Sequence, residues 1–510
     1  MTLDAIELEV MAHAFAAVPE EMGALLVASS LSPNVRERRD SSAALFDSAG
    51  HMLAQAAHIP VHLGAMPDAV AAVRALHPAP GATFILNDPF TGGTHLPDIT
   101  FVHAIALDGA VAGFTVARAH HSDVGGSRPG SMPPHSREIF EEGLIIPPIR
   151  WAADGVVDRD IERLVLANVR TPQMRRGDLA AQLASCERGA DRYRDLAARY
   201  GRRYLERAGA ELADYAERRT RAALADRLRP GRYEAADWLE GDGVEDRDLT
   251  LRCAVIVGDG AITFDFTGTD PAAAGNVNCP VSVTRSACLF VVRCLIPVDV
   301  PANAGVERVM SMTIPDGCLV NAAWPHAVAA GNVETSQRIA DLLFRALSEV
   351  TDVPAQGQGT MNNVVLGGAG WTYYETLGGG QGATRQGPGV SGVHVGMSNT
   401  RNTPVEVLEM EHPMRIRRYA LRAGSGGAGH HPGGRGILRE YEALDHVTAS
   451  LITERRRHAP SGAAGGGAGR PGANYVNDAP VGGRAAFVME PGDVLRIETP
   501  GGGGWGNAAD

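Results

Sequence analysis

Between Asn87 and Gly126 the chain reads NDPFTGGTHLPDITFVHAIALDGAVAGFTVARAHHSDVGG. Two apolar runs, Ile99 to Leu107 and Ala110 to His120, flank Asp108-Gly109, a pair whose tolerance of positive φ favours a tight turn between antiparallel strands. Folding about that turn sets Asp98 roughly opposite Ala119 and His120, at the ~5 Å spacing of facing residues in such a ladder. His95 lies three residues before Asp98 in Gly-Gly-Thr-His-Leu-Pro, where Pro97 and the glycines can bend both side chains inward. One cation could then touch His95, Asp98 and His120. Mixed nitrogen and oxygen donors suit zinc, manganese or iron, and donor type alone does not choose among them. His-Xaa-Xaa-Asp is a weak motif by itself, so polar hairpin ends bonded to backbone remain the alternative on spacing alone.

One absence narrows the chemistry further. No lysine occurs, so all 47 basic residues are arginines. That rules out a Schiff-base lysine, a phosphate-loop lysine and a carbamylated lysine bridging two metals. The net charge is −12, and no basic stripe alternates with aromatics, so nucleic acid is not expected as a partner. The opening MTLDAIELEV is acidic and no run of about 18 apolar residues occurs, from which a cytoplasmic, membrane-free protein is expected. Six cysteines without a Cys-Xaa-Xaa-Cys pair read as buried thiols.

Along the chain, Leu3 to Ser30 has helical spacing, stopped by Ser32-Pro33. Ser42 to Phe46 and His51 to Gln55 read as strands, with Asp40 at a strand start. Asp40 either completes the metal shell or pairs with Arg36, Arg38 or Arg39. His58 and His62 precede a helix near Met66, and bonding to backbone is preferred over ligation for both. PPHSREIFEEGLIIPPIR combines prolines with Glu138, Glu141 and Glu142 in a loop expected over the metal, and His135 and Glu142 are its candidates for supporting or acid–base groups. Asp158 to Arg227 reads as a solvated amphipathic helical arm. Strands return over Gly231 to Asp270, with Gly258-Asp259-Gly260 as a hairpin, followed by a buried helix from Arg285 to Ile296. A later helix carries Glu334, Thr335 and Ser336 in its first turn, where capping is the default reading. Beyond Val353 the chain is glycine-dense yet keeps strand-like runs: NVVL, GILREYEAL, VTASLIT and DVLRIETP. The expected fold class is α+β, a large mixed α/β chain with antiparallel-rich sheets, divided roughly into 1–150 (metal-site region), 151–230 (helical arm), 231–352 (α/β) and 353–510 (glycine-rich β).

Eight segments in order, SPNVRERRDSSAALFD, HIPVHLGAM, NDPFTGGTHLPDIT, ARAHHSDVGG, EIFEEGLIIPP, AGNVETSQRIAD, MSNTRNTPVE and TPGGGGWG, resemble the hydantoinase B/oxoprolinase family, which also includes acetone and acetophenone carboxylase subunits. The resemblance runs over nearly the whole chain, about 1–505. It implies a divalent metal held by His95, Asp98 and His120, with Asp40 as a fourth ligand. It also implies a hetero-oligomer in which a hydantoinase A-type ATPase of actin-like fold holds ATP and activates an amide or carbonyl by phosphorylation. Two departures touch no implied ligand: arginine stands where a lysine is usual in NVRERRD, and Trp505 where a tyrosine is. The activity implied is ATP-dependent opening of a cyclic amide (a hydantoin, 5-oxoproline or a lactam), with His121 or Asp123 orienting ligands or moving protons and Glu142 serving acid–base chemistry. A ketone carboxylase subunit and a non-catalytic scaffold for an ATPase partner are the alternatives.

Overall fold

Asp98–Leu107 and Ala110–His120 pair antiparallel around Asp108 and Gly109, at φ 51° and 74°, as the turn chemistry requires. The computed structural model describes residues 3–56 and 58–508. The hairpin is the centre of a seven-stranded antiparallel sheet. Its strands are β1 (Ser41–Asp47), β2 (Met52–Ala56), β3 (Ala82–Leu86), β4 (Asp98–Leu107), β5 (Ala110–His120), β6 (Ile149–Ala153) and β7 (Val156–Val157), in the order β2-β1-β5-β4-β3-β6-β7. Both faces are covered, which is why β4 and β5 read as continuous apolar runs instead of alternating ones. One face carries α1 (Ala5–Ser29) and α5 (Pro172–Tyr200); the other packs on α3 (Met66–Arg74).

Pro33 both follows the long first helix and opens a short one, α2 (Pro33–Arg36), at the position where a missing N–H costs nothing. By length and composition α1 could cross a bilayer, but its Met11, Phe15, Met22 and Leu26 are buried in the core beside the sheet, as in a core helix. The helical stretch after β7 comprises α4 (Arg159–Ala167), α5 and α6 (Arg202–Arg227). It is less an arm than a layer. Leu179, Leu183, Cys186 and Tyr193 of α5 are buried, and the Gln182 amide donates to the Ile99 and Ala117 carbonyls at 2.9 and 3.1 Å. The arginine-rich outer surface hid that inner stripe.

A second sheet, β8 (Gly231–Glu240), β9 (Asp248–Gly258), β10 (Ala261–Asp265) and β11 (Met310–Thr313), runs in the order β11-β10-β9-β8. It shares a core with α7 (Val281–Leu295), α8 (Ala304–Glu307) and α9 (Ser336–Leu347). A π-helical turn, Gly331–Thr335, leads into α9, so Glu334 and Thr335 are buried inside a continuing helix and do not form an open cap.

The glycine-dense third holds α10 (Val405–Glu411) and nine strands: β12 (Asn363–Gly368), β13 (Trp371–Thr376), β14 (Met414–Leu421), β15 (Ile437–Ala443), β16 (Val447–Ile452), β17 (Ala473–Val476), β18 (Ala479–Val481), β19 (Arg484–Met489) and β20 (Val494–Glu498). They form the sheets β13-β12-β16-β19 and β14-β15-β20-β17-β18. Beyond β20, Gly501–Gly504 threads between other glycine-rich segments. The N–H groups of Gly501, Gly502, Gly503 and Gly504 donate in turn to Arg470, Gly434, Gln356 and Gly467. A Cβ on any of the four would meet a backbone oxygen at 1.9–2.2 Å, so only glycine permits this approach.

Candidate metal centre

The ladder register fixes Asp98 directly opposite His120, and the bend before Pro97 brings His95 over both. His95 Nε2 lies 3.1 Å from Asp98 Oδ1, His120 Nδ1 lies 3.3 Å from the same oxygen, and the two ring nitrogens are 3.2 Å apart. All three residues are buried. Asp98 Oδ1 nevertheless has no hydrogen-bond partner, and neither do His95 Nδ1 and His120 Nε2. Ligands ~2.1 Å from one cation stand roughly 3.0 Å apart at a right angle and roughly 3.4 Å apart at the tetrahedral angle. The donor triangle therefore has the dimensions of one face of a metal coordination shell, and an orphaned carboxylate oxygen at its corner is what a cation would satisfy. Among the described residues, this trio is the group of His, Cys, Asp and Glu donors close enough to share an ion.

The second carboxylate oxygen is held separately. Asp98 Oδ2 accepts from Thr94 Oγ1 at 2.6 Å and from Asn332 Nδ2 at 3.4 Å, and His62 Nε2 stands 3.4 Å away. Burial alone would raise the Asp98 carboxyl, but the neighbouring imidazoles of His95, His62 and His120 outweigh it and hold it well below the usual range. Burial lowers the His120 pKa against the opposing pull of Asp98 and Asp40, which favours the neutral imidazole that binds metals. The His120 ring lies flat against Tyr374, centroids 4.3 Å apart at 15°. The Tyr374 hydroxyl donates to Asn363 Oδ1 at 2.8 Å, and the Arg38 guanidinium stands 5.1 Å from the same ring. A cavity of about 20 Å³ adjoins the centre, with Asp40, His62, Asp98 and His120 on its lining together with Tyr374 and Thr400. It has room for about one water molecule.

The remaining candidates separate clearly. Asp40 lines that cavity but lies outside the triangle; its carboxylate is 3.8 Å from Arg38, and its backbone carbonyl accepts from the His120 N–H at 3.0 Å. His62, expected to bond backbone, instead bonds Ser42 Oγ at 3.0 Å and turns its other nitrogen to Asp98. His58 packs its ring against Gly23. His121 points to the other side of the sheet, where Nε2 meets Gln182 Oε1 of α5 at 2.8 Å; burial and the Arg175 charge push its pKa down to about 4. Asp123 spends its carboxylate on the N–H groups of Gly125, Gly130 and Arg170 and on the Arg170 guanidinium. Glu142 is fully buried and accepts from the N–H groups of Val328 and Ala329 and from Ser136 Oγ, at 2.9–3.1 Å. Burial pushes its pKa up to about 7 against those bonds. Glu138 and Glu141 cap the short turn between them, and exposed His135 bonds the Gly243 carbonyl at 2.7 Å. Sequence reasoning did not single out Thr94, Asn332 or Tyr374. Only Thr94 offered a local signal, as a polar residue in the bent loop; the others arrive from more than 200 residues away.

The sequence profile of hydantoinase B/oxoprolinase matches residues 4–508. The chain belongs to the hydantoinase B/oxoprolinase family. Among its relatives, 5-oxoprolinase 1 of Arabidopsis thaliana is 37% identical over 99% of this chain but only 42% of the plant protein. This family member thus spans about two fifths of that relative. The putative B-type component of a D-/L-hydantoinase of Pseudomonas sp. (strain NS671) is 30% identical over 99% of this chain and 90% of its own length. The crystal structure of ATP-dependent caprolactamase from Pseudomonas jessenii superposes with a TM-score of 0.90 at 28% identity, covering 99% of this chain and 92% of that one.

Proposed function

We propose that this chain is the metal-binding catalytic subunit of an ATP-dependent cyclic amide hydrolase, opening a hydantoin, 5-oxoproline or lactam ring alongside a hydantoinase A-type ATPase subunit. The observation that carries the reading is the buried triangle of His95, Asp98 and His120, with donor atoms 3.1–3.3 Å apart around an otherwise unpartnered carboxylate oxygen. A divalent zinc, manganese or iron ion held there would supply Lewis acidity toward a carbonyl or a water. The chain's own residues then have defined tasks. Thr94, His62 and Asn332 fix the second oxygen of Asp98, Tyr374 fixes the plane of His120, and the apolar strands exclude bulk water. Glu142, with a pKa near 7, can hold or release a proton at its carboxyl oxygens at working pH. His121 and Asp123 act at one remove, anchoring the strand end that carries His120.

Nucleotide chemistry is assigned to the partner because a chain without lysine has no phosphate-loop lysine. Phosphorylation of an amide oxygen by the partner would give a better leaving group than the amide itself. The decisive experiment is co-expression with a candidate ATPase partner and an ATP-dependence screen on cyclic amides, with labelled bicarbonate as a control. Ring opening without incorporation of label is expected; incorporation would move the assignment to a carboxylase. His120→Ala should lose both metal, by elemental analysis, and turnover while keeping its far-ultraviolet circular dichroism. Full metal content in that variant would defeat the reading.

A further inference from the structure

The cavity at the metal centre, about 20 Å³, holds a water and not a substrate ring. A ring must dock elsewhere and then displace part of the wall. Ser398 and Thr400 belong to that wall. On the other side of the same segment, Val395 and Gly396 line a much larger cleft of about 470 Å³, within the size range of small-molecule sites. One turn of chain, Val395–Ser398, therefore separates the two spaces, closed by the Ser398 N–H on the Val395 carbonyl at 3.3 Å. The turn is fastened at few points. Gln337, in the first turn of α9, grips it with both ends of its amide: Nε2 donates to the Val395 carbonyl at 3.0 Å, and Oε1 accepts from the Met397 N–H at 3.2 Å. Gly396 has φ 64°, and a Cβ there would lie 2.2 Å from Gln337 Oε1, a contact that only glycine permits. Of the side chains in the turn, only Met397 enters the apolar core. Just beyond it, exposed Asn399 donates from Nδ2 to the His58 carbonyl at 2.8 Å.

The larger cleft suits a ring. One wall is apolar, with Phe290 and Phe344 meeting edge to face at 6.2 Å and Val353 beside them. Its carboxylates are already matched, Asp341 to Arg455 at 2.7 Å and Asp352 to Arg385 at 2.9 Å. A ring of methylene groups closed by one amide buries apolar surface there without stranding a charge; a hydantoin, polar round most of its ring, gains less. Resting on the cyclic amide hydrolase reading above, we propose that a lactam docks in this cleft before reaction and that the Val395–Ser398 turn, latched by Gln337, is the partition that gives way to admit it to His95, Asp98 and His120.

Cys294 lines the cleft and is exposed, whereas the other five cysteines are buried, and the chain has no lysine to compete, so a maleimide should label Cys294 selectively. Saturable protection of Cys294 by ε-caprolactam is expected, and none by acetamide at the same concentration; labelling that ε-caprolactam does not slow would overturn the docking site. Zinc exchange in the whole chain, followed with excess chelator and on reloading, tests the partition. In Gln337→Ala both loss and reloading should quicken about tenfold, the scale of losing a hydrogen bond, while the affinity, set by their ratio, stays as in the parent. Asn399→Ala, which removes no buried side chain, should move both rates the same way and decides the matter should Gln337→Ala not fold. Unchanged rates in the folded variants, or faster loss with weaker affinity, would overturn the partition. Protection of Cys294 needs neither ATP nor a partner nor a metal. An unprotected Cys294 beside working ring opening thus counts against the cleft alone, and a protected Cys294 without ring opening against the activity alone.

Discussion

Two fully buried aspartates a short distance apart in sequence show how much of a residue's role is decided by what its oxygens touch. Asp98 keeps one oxygen without a hydrogen-bond partner beside two imidazoles, whereas Asp123 gives both oxygens to N–H donors that tie the end of β5 to the segment before α5. Asp123→Ala should therefore behave as a broken buried ion pair, losing roughly 3–5 kcal/mol, yet its folded fraction should take up metal as the parent does. Urea titration followed by elemental analysis checks both halves. Glu142 makes a different expectation, about pH. Its folded pKa of about 7 lies above the usual carboxyl value, so the native state holds a proton that the unfolded chain has already lost. That contribution to stability is full below pH ~4.5 and disappears as pH rises through ~7, about 3 kcal/mol in all at 1.36 kcal/mol per unit. Glu142→Gln, which cannot ionise and matches the shape of the protonated acid with its carbonyl still facing the Val328 and Ala329 donors, should be close to the parent in stability at pH 5 and gain on it as pH rises through ~7. Denaturation midpoints from pH 5 to 8 should show that divergence.

At the scale of elements, the hairpin was legible because Asp-Gly chemistry and the apolar runs both specify it, and its register alone sets Asp98 against His120. The donor trio followed from that register and one bent loop. Harder to see was the role of α5, since arginines and aspartates interleave with the apolar stripe that covers the sheet. His62 was weighed for the centre but read as bonding backbone, and Tyr374 was not readable at all, because a contact between residues far apart in sequence leaves no local pattern. Nor does one extra residue in a helical turn leave a compositional mark, so the π turn at Gly331–Thr335 was invisible, although such turns are frequent at functional sites. That turn aims Asn332 at Asp98, and it can form because Gly331 packs where a Cβ would lie 1.8 Å from the Asn278 carbonyl. Gly331→Ala should force the turn outward, destabilise the chain by about 1–3 kcal/mol and reduce metal content. A variant with full metal occupancy and an unchanged melting temperature would show that the turn does not position the centre.

Across the whole molecule, the centre lies where distant parts of the chain meet. The first sheet contributes His95, Asp98 and His120, the turn before α9 contributes Asn332, and β13 contributes Tyr374. An ion bound by the first of these is thus braced by the other two, and unfolding any of them releases it. Ligand binding to the native state alone stabilises by RT ln(1 + [L]/Kd), about 2.7 kcal/mol at a hundredfold excess over Kd. Adding zinc or manganese to chelator-treated protein should therefore raise the midpoints read by near-ultraviolet circular dichroism and by tyrosine and tryptophan fluorescence together, because both halves of the centre are held by one ion. His120→Ala should show no such rise. If the metal shifted only a minor transition and left the main one unmoved, the ion would be anchored to the first sheet alone, and the bracing by Asn332 and Tyr374 would have no energetic weight.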